Sequence, residues 1–239
     1  MLRAELRLFT REPGSIFWIV AFPSALVVIL GLVPAVREPI DRLDQSFLGL
    51  YVNVVVLLAM LMASLTAMPV VLAAYREQQI LRRIATTPAK PRDLLIAQYG
   101  IHGVAAIVGG GLAVLLGRLA YGLALPRNMI GFLFVLLLML ATCLSIGGLI
   151  AGLARTAKFA TTIGTVLLFP LMFTAGVWLP VALMSGLLGD IVALTPLGAG
   201  ALALDAATSG GWPDPKDLVV MAAWTALLGT AATRFFRWE

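Results

Sequence analysis

The chain has 239 residues, of which 61% are apolar and only 12% charged, with a formal net charge of +5. Soluble domains carry about 25% charged residues, so a water-facing surface cannot be built from this composition. A large soluble helical core is thereby excluded, and the bilayer becomes the expected solvent.

In chain order, residues 1–13 read as an interfacial helix. Leu2, Leu6 and Phe9 share one face at helical spacing, while Arg3, Arg7 and Arg11 share another. Such a helix buries its apolar side at the headgroup boundary. The first span follows over 14–36, 23 uncharged residues interrupted by Pro23 and Pro34. It is too long for a cleaved h-region, and no small-x-small site leads into a soluble mature chain.

Residues 47–74 form the second span, 28 residues without Lys, Arg, Asp or Glu. About 20 apolar residues suffice to cross the hydrocarbon core. A polar insertion over 75–91 comes next. Ile80, Leu81 and Ile84 fall on one helical face there, and Arg76, Gln79 and Arg83 on the other. Thr87-Pro88 and Pro91 end it. The third span covers 94–117, with Asp93 in its first turn, where a negative charge suits the helix dipole. The fourth covers 128–154.

The fifth span covers 159–180. Residues 181–212 are apolar but broken by Pro180, Pro196, several glycines, Asp190 and Asp205. A re-entrant pair of short helices fits them, since a full crossing would carry Arg234 and Arg237 to the wrong side. The sixth span covers 217–236, where Arg234 and Arg237 snorkel to the headgroups. The fold expected is all-α: one polytopic membrane domain over 1–239 with six transmembrane helices.

Orientation follows from the basic residues. With the N-terminus inside, twelve Lys and Arg lie in inside segments and five (Arg37, Arg42, Arg118, Arg127 and Lys216) outside. Both termini are therefore expected in the cytoplasm, and the basic balance reflects topology rather than nucleic-acid binding. Glycines 109–111 in the third span, with Gly147, Gly148, Ala151, Gly152 and Ala154 in the fourth, mark places where helix backbones approach closely.

The chemistry is sparse. The three lysines, Lys90, Lys158 and Lys216, do not follow glycine, so no phosphate-binding loop is expected. One histidine, His102, and one cysteine, Cys143, lie inside spans and offer neither a metal site nor a catalytic triad. His102 is expected to be packed or interface-facing. The central parts of the main spans hold no carboxylate, as an ion-coupled carrier would need. The chain thus carries no evident energy source, which points to a partner that supplies one. A non-transporting membrane scaffold or assembly subunit would share the same hydropathy.

Three features resemble a known family: the basic amphipathic helix before the first span, the stretch Arg76-Glu77 through Arg82-Arg83-Ile84-Ala85-Thr86-Thr87-Pro88, and the C-terminal half. The last comprises Leu149 to Arg155, a fifth span ending Ala175-Gly176-Val177-Trp178-Leu179-Pro180, and Leu194-Thr195-Pro196-Leu197. Together they resemble the ABC-2 type permeases, membrane subunits of type V ABC exporters that include the daunorubicin-resistance type of drug exporter. Departures occur at Ile80, where the family usually has glycine, at Ala199, often polar, and at Leu204-Asp205, where an arginine is common. The resemblance implies that the insertion is a coupling helix docking on a separately encoded ATPase. Arg76, Glu77, Arg82, Arg83, Leu81, Ile84, Thr87 and Pro88 would serve that contact. ATP and Mg would sit on the ATPase, with no cofactor on this chain. It further implies pairing with a second or sister permease through spans one and five, in the cell (plasma or inner) membrane. The substrate expected is a hydrophobic or amphipathic compound, an antibiotic or drug first and a lipid or lipid-linked glycan as the alternative. Phe169, Met172 and Phe173 are candidate lining residues.

Overall fold

The computed structural model describes residues 2–40, 45–80 and 91–235. Six helices are long and apolar enough to cross a membrane: α2 (Pro13–Gly31), α3 (Phe47–Glu77), α4 (Pro91–Tyr121), α5 (Met129–Leu153), α6 (Ala157–Thr174) and α9 (Pro215–Phe235). A short α1 (Leu2–Phe9) precedes them, and α7 (Gly186–Ala193) with α8 (Pro196–Ser209) stands between α6 and α9. No strand occurs among the described residues. Side-chain caps define several helix starts: Ser46 accepts from the Gly49 amide, Asn128 from Gly131, Thr156 from Phe159 and Thr195 from Gly198. Each satisfies one of the orphan donors of a first turn.

Successive spans alternate in direction, so α1, the residues following α3 and the α5–α6 turn lie at one end of the bundle, here the α1 end. Two span ends differ most from the sequence reading. α2 stops at Gly31 rather than Val36, because the 3-10 turn Pro34–Arg37 follows. α6 stops at Thr174 rather than Pro180, where Gly176 turns the chain with φ 87°.

α7 and α8 meet at a bend of 96°. The Leu194 carbonyl at that bend accepts a hydrogen bond from Trp224 Nε1 (3.0 Å), nine positions into α9 and thus about 14 Å along it. The other end of α8 returns to the far end of the bundle. There the Arg127 and Asn128 amides donate to the Thr208 and Ala207 carbonyls (3.3 and 3.1 Å). The pair turns beside the middle of α9 and does not continue to the α1 end.

α3 is the axis of the bundle: 83% of its most apolar window is buried, against 28% for α2 and 11% each for α6 and α9. Its core residues run almost without interruption from Leu48 to Met68. Within it, Met62–Ala67 is a π-helical segment, and α2 contains another over Phe17–Ala21. A π turn widens the helix and displaces carbonyls from the regular ladder. Glycines of neighbouring helices approach these places. A β-carbon on Gly147 of α5 would meet the Ser64 carbonyl oxygen, one on Gly164 of α6 that of Leu65, and one on Gly109 of α4 that of Ile19. Backbone meets backbone at all three. Of the sequence-marked glycines, Gly110 packs against Val56 and Gly148 against Tyr99, but Gly111 faces open space.

This contrast gives a signed prediction. Alanine favours helix over glycine by about 0.8–1 kcal/mol. Gly111→Ala should therefore leave stability unchanged or raise it, while Gly147→Ala should lower it by about 1–3 kcal/mol through overpacking. Denaturant unfolding in detergent micelles, followed by tryptophan fluorescence, measures both.

Candidate functional site

Three consecutive side chains close α3 at the α1 end. Tyr75 Oη donates to Glu5 Oε2 of α1 (2.7 Å), and Gln98 Nε2 of α4 donates to the same oxygen (2.6 Å). Glu5 is buried although it lies on a short surface helix whose Leu2, Leu6 and Leu8 are exposed. The carboxylate is held by two donors, as a buried charge requires. One turn along α4, buried His102 donates from Nδ1 to the Gln98 carbonyl (2.9 Å), and its ring meets Phe9 edge-on at 5.4 Å. α1 is thus fastened to both α3 and α4.

Arg76 and Glu77 turn the other way. Arg76 Nη1 donates to the carbonyls of Ala151 (2.8 Å) and Ala154 (2.6 Å) at the end of α5. Glu77 Oε2 accepts from the Ala157 amide, the first residue of α6 (3.0 Å). A cation on a helix C-terminus and an anion on the next helix N-terminus both complement the helix dipoles. Both also satisfy backbone groups that a helix end leaves orphaned. Thr156 caps the second α6 amide, at Phe159 (3.2 Å). α3 then breaks: Gln78 is its C-cap and Gln79 takes φ 56°, a left-handed residue of the kind that ends helices.

The structure therefore draws Tyr75 to Glu77 into the α3 helix, where the sequence reading began a separate coupling helix at residue 75. Arg76 and Glu77 fasten the α5–α6 turn. Leu81, Arg82, Arg83, Ile84, Thr87 and Pro88 lie outside the described residues. Glu5 and Gln98 escaped the sequence reading, although each left a trace: Glu5 interrupts a basic segment, and Gln98 interrupts an apolar span.

The candidate lining residues divide. Phe169 and Phe173, one turn apart on α6, are 59% and 39% exposed, and Phe173 lies 6.4 Å from Trp178. Met172 packs against the core. A groove of about 880 Å³ opens between α4, α5 and α9, lined by Ile96, Tyr99, Gly148, Gly229 and Ala232. A second cavity lies at the far end. Asp205 of α8 is engaged there, its Oδ1 accepting from Asn53 Nδ2 of α3 (2.7 Å). No group of three or more His, Cys, Asp or Glu placed to hold a metal occurs among the described residues.

The sequence model of the ABC-2 type transporter family matches residues 1–205, covering α1, the first five spans and most of α8. No curated protein matches the chain.

Removing the fastenings should loosen particular helix ends. Arg76→Ala leaves the Ala151 and Ala154 carbonyls without their charged donor and should cost about 1.5–3 kcal/mol. Glu77→Ala, at a more exposed cap, should cost about 0.5–2 kcal/mol. Hydrogen exchange should rise at residues 154–160 in both variants and remain unchanged in α1. Glu5→Ala should give the opposite map.

Proposed function

This chain belongs to the ABC-2 type transporter family, and from that premise we propose that it is the permease subunit of an ATP-driven exporter. It carries no energy source of its own. A separately encoded ATPase holding ATP and Mg docks at the α1 end, which faces the cytoplasm by its excess of Lys and Arg. The docking segment is the charged stretch after Glu77, with Arg82, Arg83, Leu81 and Ile84 as contacts and Thr87-Pro88 as its end.

One observation carries this reading: the segment begins at the only place where α3 is bonded to α1, α4, α5 and α6 together through Tyr75, Arg76 and Glu77 among the described residues. Force applied beyond Glu77 enters the bundle through its most buried helix and reaches four other helices. Rigid-body motion of packed helices is the ordinary means of such switching.

Two permeases pair through α2 and α6. Support comes from their open apolar faces: Trp18 and Ile29 on α2 are 48% and 60% exposed, Leu32 just after it 70%, and Val166 and Phe169 on α6 are 67% and 59% exposed. The substrate is a hydrophobic or amphipathic compound, an antibiotic-like drug first, passing near Phe169 and Phe173.

The test separates docking from internal packing. Arg82→Glu with Arg83→Glu, purified by a tag on the permease, should lose the co-purifying ATPase while the thermal unfolding midpoint stays at the wild-type value. If the wild-type chain brings down no ATPase, or the double variant retains it in full, the proposal fails.

A further inference from the structure

At the end of the bundle opposite α1, a cavity of about 340 Å³ lies within one chain, between the ends of α2, α3, α4, α5 and α8. It shares no residue with α6 and stands apart from the proposed transport path. Its size falls within the range of small-molecule sites, about 300–1,000 Å³. Arg37 and Arg127 line it, while Gln45, Asn53, Thr208 and Ser209 supply neutral polar walls. No carboxylate lines it among the described residues. Asp205 of α8 is turned to Asn53 Nδ2, and Asn53 Nδ2 also donates to Thr208 Oγ1 (3.1 Å). The Arg37 guanidinium lies over the Tyr121 ring, 5.9 Å from its centroid, and no carboxylate pairs with it among the described residues.

The level of the cavity is set by its lining. Ser46 caps the start of α3, Tyr121 ends α4, and Arg127 stands just before α5, so the mouth lies where spans begin and end. Asn53 and Val114, each about two turns inside its span, mark a floor roughly 10 Å deeper. A mouth at that level meets a lipid headgroup rather than its chains.

We propose that this cavity binds the phosphoglycerol headgroup of an anionic lipid. The two arginines match a phosphate, an anion that guanidinium forks bind through paired N–H···O bonds. The glycerol follows from Gln45. Its Nε2 donates to Ser209 Oγ (2.5 Å), which fixes the amide orientation, and its Oε1 is buried without a partner. A buried acceptor needs a donor. An ionised phosphodiester has none to give, and neither has a phosphocholine headgroup; a glycerol hydroxyl has.

The pocket lies inside one chain, so the full-length protein in detergent micelles suffices, with soluble dihexanoyl phosphatidylglycerol as probe in isothermal titration calorimetry. Saturable binding is expected, about tenfold or more tighter than for dihexanoyl phosphatidylcholine or inorganic phosphate. Arg37→Gln with Arg127→Gln should abolish it. Gly49→Leu provides an uncharged control. A β-carbon at Gly49 meets only ordinary contacts, 3.5 Å from Ser46 Oγ, so the added side chain fills the cavity and should also remove binding. Equal affinity for inorganic phosphate would assign the pocket to a free anion and overturn the lipid reading. Equal affinity for phosphatidylcholine, or binding that survives Gly49→Leu, would overturn the site itself. None of these outcomes depends on an ATPase partner, so they are independent of the exporter reading.

Discussion

The arrangement of the α1 end depends on one polar contact set, in which Arg76 and Glu77 bind the last carbonyls of α5 and the first amide of α6. A sharp turn between two membrane helices concentrates unsatisfied backbone groups of opposite sign in a few residues. Adjacent side chains of opposite charge on a third helix meet both sets at once. Tyr75, one residue earlier, points back to Glu5 and through it to Gln98. The end of α3 is therefore a junction of five helices, made by three successive residues on different sides of one helix.

A junction transmits motion only if the helix behind it is stiff. α3 meets that condition by burial, and its π segment at Met62–Ala67 does not weaken it, because Gly147 and Gly164 bring α5 and α6 directly against the backbone there. Both helices fastened to α3 by Arg76 and Glu77 are thus held to it a second time near mid-membrane. Two contacts per helix restrict each to moving with α3 instead of pivoting about a single point. α9 lacks this double hold on α3; it packs chiefly on α5, through Thr142 and Thr225 (2.6 Å) and the Gly148–Ala232 contact.

Much of this was legible in the sequence, for reasons that differ by level. The spans were legible because lipid tolerates no charges, so charge-free stretches such as 128–154 mark them directly. The break in segment 181–212 was legible because Pro196 and several glycines interrupt an otherwise apolar stretch. Gly147 announced close packing, but not its partner, since a π turn in α3 has no composition signal that Met62–Ala67 displays. The roles of Arg76 and Glu77 were half legible. Their charge set them apart from the apolar span before them, while their capping of α5 and α6 depends on a contact about 80 residues away in sequence, which no local pattern encodes. Glu5 shows the same limit: in isolation it reads as one more polar residue of an amphipathic helix.

On the proposed exporter reading, the end of α3 and the α5–α6 turn move as one body when a partner ATPase turns over. Nitroxides at Gln78→Cys and Lys158→Cys test it most directly, and the single native cysteine, Cys143, is buried and out of reach. The measurement is dipolar broadening between the two labels in the assembled transporter, with and without ATP. The account predicts the same spectrum in both states, and divergence of the two only when Arg76→Ala is added. A wild-type spectrum that changes on ATP binding would contradict it, because the turn would then move independently of α3.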